Sequence, residues 1–153
     1  MGIHGYCVND RDHLDYDTMA KVRQQRKKTG PKVTGMEFAI QAARIASQDH
    51  AEDVVILDLR GLSSIADFFV IAMGISDRQM RAVADHIEVY ARSVGEHPYG
   101  ISGYESASWL LADYVDVVIH LFNPKRRKYY DLDLLWGDAP RIDWQKEAHT
   151  RKV

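Results

Sequence analysis

The chain has 153 residues, 46% of them hydrophobic and 27% charged, with a formal net charge of -2. That length holds one ordinary domain with a real core and is short for two. The near-neutral balance asks for neither a nucleic-acid duplex nor an anionic membrane as an overall partner, so any RNA contact would be local. A single cysteine, Cys7, excludes an intramolecular disulfide and a cysteine-based zinc cage, and fits a reducing compartment such as the cytoplasm.

Residues 1–33 show no apolar periodicity, and they lack the apolar run of a signal peptide. An acidic piece with Asp10, Asp12, Asp15 and Asp17 is followed by a basic one, KVRQQRKKTGPK. This reads as a mobile N-terminal arm, either a solvated tail or an arm that grazes RNA. No stretch of the chain reaches the roughly 18 apolar residues of a membrane span.

Order is expected to begin at Thr34, which stands three residues before Glu37 at the spacing of a capping box and opens a helix over about 35–49. DVVILDL (53–59) and DFFVIAMG (67–74) are rich in branched apolar residues and read as buried strands. Ser76 and Gln79 repeat the capping spacing before a second helix, whose Met80, Val83, Ala84, Ile87, Ala91 and Val94 recur at three and four. Gly95 stands where a left-handed C-cap belongs. A weak strand at 99–102, strands at 108–114 and 116–122, and a last helix from Asn123 and Pro124 through Trp136 complete the pattern. The order α-β-β-α-β-β-β-α points to a compact α/β domain over 34–137, a mixed sheet flanked by helices, with a polar C-terminal tail at 138–153.

Catalytic and metal motifs are scarce. The only thiol lies in the arm, and no serine stands in a G-x-S-x-G elbow. His86, His97 and His120 have no metal-ligand spacing, so neither a metal nor a cofactor is expected. The turn MGISDRQ, between a strand and a helix, is where a nucleotidyltransferase would offer backbone amides to a phosphate. Such an enzyme also needs an Asp-x-Asp pair on an adjacent strand for two divalent ions. Here DLR (58–60) lacks the second acid, and Asp131 and Asp133 fall late in the last helix.

The stretch SWLLADYVDVVIHLF carries the most information. With Tyr114 and Val115 as a two-residue loop, Asp113 faces Asp116, Leu111 faces Val118, and Trp109 faces His120, all on one side of the sheet. Leu110, Ala112, Val117, Ile119 and Leu121 take the other side, the natural core face. The mixed side suits a protein interface with an aromatic anchor and a charged rim whose paired acids meet a basic partner. It equally suits a side half covered by the last helix, with the acids splayed into water.

LSSIADFFVIAMGISDRQMRAVADHIE, SWLLADYVDVVIHLF and RKYYDLDLLWGDA together resemble the ribosomal silencing factor family, also called RsfS or Iojap-like, over about residues 36–139. The resemblance implies a nucleotidyltransferase-like fold without the catalytic carboxylates, and no enzymatic reaction. It implies a partner, the large ribosomal subunit, met through its ribosomal protein number fourteen at the intersubunit face, and repression of translation by blocking subunit joining. Positions matching the motifs are Asp67, Ser76, Asp77, Arg78, Trp109, Asp113, Tyr114, Asp116, His120, Tyr130, Leu132 and Trp136. Of these, Trp109 is expected as apolar anchor, Asp113, Asp116 and His120 as polar contacts, and Leu111, Tyr114, Tyr130 and Trp136 as completing the face. Asp67, Ser76, Asp77, Arg78 and Leu132 are expected as structural or binding positions. Val115 departs from the family's usual glycine, which puts the turn in question. Two other classes stay open: an active nucleotidyltransferase and a homodimeric interaction module.

Overall fold

Thr34 closes the first helix from both sides: its Oγ1 accepts from the Glu37 N–H, and Glu37 Oε2 accepts from the Thr34 N–H, each at 3.1 Å. The helix it starts, α1 (Gly35–Gln48), leads into strands β1 (Glu52–Asp58) and β2 (Phe68–Met73) and the long helix α2 (Asp77–Ser93). Strands β3 (Gly100–Ser102), β4 (Trp109–Asp113) and β5 (Val117–Phe122) follow, then two short helices, α3 (Pro124–Tyr130) and α4 (Leu132–Leu135), and strand β6 (Arg141–Ile142). The computed structural model describes residues 33–146; the expected arm, apart from Val33, and the last seven residues lie outside them.

The six strands form one mixed sheet in the order β3-β4-β5-β2-β1-β6. Only β2 and β5 run parallel, and the chain between them holds α2 and the β3-β4 pair. Because side chains alternate along a strand, the central β2 sends Phe68, Val70 and Ala72 to one face and Phe69 and Ile71 to the other. The first face is covered by α1 and α2. Ala39, Ala42, Ala43 and Ala46 of α1 and Met80, Val83 and Ile87 of α2 are buried there. Among the described residues, the second face is covered by the α3-α4 segment and the turn after it, through Leu132, Trp136 and Ala139, together with Leu59 and Ala66 of the β1-β2 loop.

Three expectations need correction. Gln79 does not complete a capping box: Ser76 Oγ accepts from its N–H, but Gln79 Oε1 reaches one residue further back, to the Ile75 N–H, at 2.8 Å. The last helix does not run unbroken to Trp136. Asp131 adopts a left-handed conformation (φ 41°) and caps a separate turn by accepting from Leu134 N–H, the two roles for which a short acidic side chain is suited. Nor is the chain from Asp138 to Lys146 a polar tail. Ile142 pairs with Ile56 in β6, and Trp144 packs on the first face with its indole N–H donating to the Val54 carbonyl at 3.1 Å.

A candidate partner-binding face

The β4-β5 hairpin sets the site, and its register is two residues away from the expected one. Trp109 pairs with Phe122, Leu111 with His120, and Asp113 with Val118. The shift is even, so the division of the paired strand residues between faces is unchanged, but Asp116, in the loop, turns to the α1 side beside Gly35, a correction to its expected place with Asp113. What changes is the tip. Val115 and Asp116 make the loop, and the two acids do not face each other. Asp113 is fully buried and its Oδ1 accepts from the Val115 N–H at 2.8 Å. Asp116 instead gives its carbonyl to the N–H groups of Asp67 and Phe68, tying the hairpin tip to the start of β2.

That turn explains how a valine occupies a position where glycine would be at ease. Val115 has φ 72°, and the Asp116 N–H closes onto the Tyr114 carbonyl at 3.0 Å, a three-residue γ-turn. Such a conformation costs a β-branched residue about 1–3 kcal/mol. The Asp113 carboxylate holding the Val115 amide, and burial of the valine to 3% exposure, offset it.

Tyr114 is carried to the α1-α2 side. It lies 4.8 Å from the Phe38 ring, and burial pushes its phenol well above the ordinary tyrosine range. Asp113 and Tyr114 are therefore internal supports of the hairpin, a correction to their expected place on a contact surface.

On the opposite face the side chains build an aromatic stack. Trp109 is half-buried, 5.1 Å from Phe122 and 4.4 Å from Tyr130 between ring centres. Its indole N–H donates to His120 Nδ1 at 3.2 Å. In that bond Nδ1 is the acceptor. His120 is only 4% exposed and packs 4.5 Å from Phe69, which meets Trp136 edge-on at 6.0 Å. His120 thus orients Trp109 from below, a second correction, while Leu111 and Trp136 stay partly open.

Tyr130 is 37% exposed, and beside it the structure sets Tyr129 (77%), Leu134 (77%) and Leu135 (71%) out into solvent. These last three were missed in the sequence. The sequence reads as one helix here; only the break at Asp131 makes α4 a single turn, from which Leu132, Leu134 and Leu135 cannot all face inward. Leu132 takes the buried position, at 8%.

The remaining motif positions lie elsewhere. Asp67 is half-buried at the entrance to β2, and Ser76 caps α2, with Asp77 and Arg78 exposed in its first turn. The Gly74–Asp77 turn spends the Ile75 amide on Gln79. Asp131, the first acid of the only complete Asp-x-Asp in the domain, lies at the α3-α4 junction and not on a strand beside that turn. Among the described residues no three His, Cys, Asp or Glu side chains converge to hold a metal ion, and no helix is long and apolar enough to cross a membrane.

A family model described as "Ribosomal silencing factor during starvation" matches residues 33–153. The chain belongs to the ribosomal silencing factor family. A Halalkalibacterium halodurans relative, "Ribosomal silencing factor RsfS", is 40% identical over 111 residues, covering 72% of this chain and 95% of that protein. "Protein Iojap, chloroplastic" of Arabidopsis thaliana is 34% identical over 119 residues, 76% of this chain and 48% of its own. Among solved structures, a Chromobacterium violaceum protein superposes with a TM-score of 0.66 at 33% identity, covering 69% of this chain and 88% of that one. A Bacillus halodurans protein does so at 0.59 and 36% identity, covering 71% and 95%. The family's fold is the mixed α/β sheet described above.

Proposed function

We propose that this protein docks on the large ribosomal subunit through ribosomal protein number fourteen and, by its bulk at the intersubunit face, keeps the small subunit from joining. Translation is thereby repressed in the cytoplasm, with no bond made or broken. The observation that carries the reading is the apolar shelf of Tyr129, Tyr130, Leu134 and Leu135, exposed beside the half-buried Trp109 and Trp136. Tyrosine and tryptophan are the side chains enriched at interface hot spots, and leucines beside them exclude water from such a contact. Leu111 lies on the same face, whereas Asp116 at the hairpin tip sits beside Gly35 of α1 on the other side of the sheet. A standard interface covers about 800 Å² per partner, so the shelf and the hairpin face serve together.

Co-sedimentation with isolated large subunits tests this, with a Leu134→Ala/Leu135→Ala variant alongside and small subunits added afterwards. Wild type should sediment with the large subunit and reduce the joined-ribosome peak; the variant should do neither. A wild type left in the supernatant overturns the reading. If the shelf is then found protected in a homodimer, self-association takes its place.

A further inference from the structure

The loop 103–108 between β3 and β4, GYESAS, leads straight into Trp109. Two of its residues hold a left-handed backbone, Gly103 (φ 74°) and Ala107 (φ 52°), and Ala107 does so with a side chain that disfavours it. The loop also folds back on the residue it delivers, since a Cβ added to Gly103 would lie 2.0 Å from the Trp109 carbonyl oxygen. Trp109 and Phe122 form the last pair of the β4-β5 ladder; beyond them the Asn123 N–H still reaches the Ser108 carbonyl at 3.0 Å. The chain before Ser108 is held from α2. Arg81 Nε donates to the Tyr104 carbonyl at 2.8 Å, and a terminal guanidinium N–H donates to the adjoining Glu105 carbonyl. The Tyr104 hydroxyl donates back to the Asp85 carboxylate, 3.0 Å from each oxygen, one turn further along α2. Met80, Val83, Ala84 and Ile87 are buried on that helix, so the clamp has a fixed base.

From this we infer that Arg81 is a positioning residue for the partner-binding face: from the α1-α2 side of the sheet it fixes the 103–108 loop, and through the loop it fixes the Trp109 indole on the other side. The residue type fits the task. A guanidinium carries several N–H donors in a rigid fork and holds two consecutive carbonyls at once, whereas a lysine ammonium is a point donor on a flexible stem. A side chain already in place when the partner arrives does not have to be ordered on contact, and that saving is what Arg81 contributes to affinity. The inference rests on the reading of this face as the contact with the large ribosomal subunit, and adds to it a residue that acts without touching the partner.

The test compares wild type, Arg81→Gln and Arg81→Lys by two measurements. One is affinity for isolated large subunits per folded molecule; the other is the Trp109 indole N–H resonance of the free protein, assigned by its loss in Trp109→Phe. Arg81→Gln should weaken binding roughly tenfold, about the cost of ordering one large side chain and its loop on contact, and should displace that resonance. Arg81→Lys, still able to reach one carbonyl, should fall between the two on both measurements, and it carries the comparison alone if Arg81→Gln does not fold. A Trp109 resonance at its wild-type position in the variants overturns the inference whatever happens to binding. A displaced resonance with wild-type affinity overturns it equally, leaving Arg81 as a brace of the loop and the ribosome reading standing. Absence of wild-type binding is a separate result that defeats the ribosome reading itself, and with it the role assigned to Arg81.

Discussion

The two faces of the sheet are built from alternate residues of the same strands, yet they are finished differently. On the α1-α2 side Phe38, Ile40, Met80, Val83 and Ile87 of the two helices are each 8% exposed or less, with Met36, Ile45 and Tyr90 partly buried around them. The α3-α4 side has a roof of two short helices, and its apolar residues run from the buried Leu132 out to Leu134 and Leu135, both more than 70% exposed. Long helices with three- and four-residue periodicity can turn most of their apolar stripe inward. A four-residue turn cannot, and the surplus apolar surface is what a partner can use. One face is closed, and the other keeps apolar side chains in the open.

The sharpest way to break this contrast is to damage each side separately. Ile87→Ala, on the closed side, should lower unfolding free energy by about 3 kcal/mol in denaturant titration, leaving subunit binding per folded molecule unchanged. Gly103→Ala should come next, at about 2 kcal/mol or more. Gly103 has φ 74°, and an added Cβ would lie 2.0 Å from the Trp109 carbonyl oxygen, so the strand bearing the aromatic anchor must shift. This variant alone should damage both faces, which chemical denaturation and subunit binding measured together would show.

Leu134→Ala/Leu135→Ala should invert the pattern of Ile87→Ala. Unfolding free energy should change by no more than about 0.5 kcal/mol, while subunit binding weakens roughly tenfold or more. Equal losses in both would mean the shelf belongs to the core. Trp109→Phe keeps the ring stack but removes the N–H that His120 Nδ1 accepts, and should cost about 1 kcal/mol of stability.

The smallest effect lies away from both surfaces. Arg60 donates to both carboxylate oxygens of Asp58, at 2.9 and 2.7 Å, and holds that carboxyl below its ordinary value of 3.8. A depressed acid stabilises the fold above the ordinary carboxylate range, and that contribution is lost as pH falls through the lower folded value. Arg60 is half in solvent, so screening keeps the effect small. Arg60→Gln should make melting temperature slightly less steep in pH on the acid side while subunit binding at neutral pH is untouched.

How much of this was legible beforehand follows from the range of each signal. The capping box at Thr34, the left-handed Gly95 and the apolar stripe of α2 depend on residues within two turns of one another, and they stand as read. The hairpin's faces were legible because the period of two survives an even shift; its register was not. Register depended on a γ-turn at Val115 and a carboxylate bond from Asp113, neither of which has a fixed sequence signature. The break at Asp131 had a local signal, an acid able to adopt the left-handed conformation and to cap, but the leucines on either side read as one helix. Strand β6 is two residues long, too short for any periodicity, and exists because β1 offered it an edge.

By itself, then, the sequence determined the α/β class, the order of the main elements, the inward sides of α1, α2 and the strands, and the family, because all of these rest on local pattern or on motif similarity. Tertiary structure alone decided that Asp113, Tyr114 and His120 turn inward while Tyr129, Leu134 and Leu135 stay out. Exposure is a property of what covers a residue, and here the cover comes from segments distant in the chain.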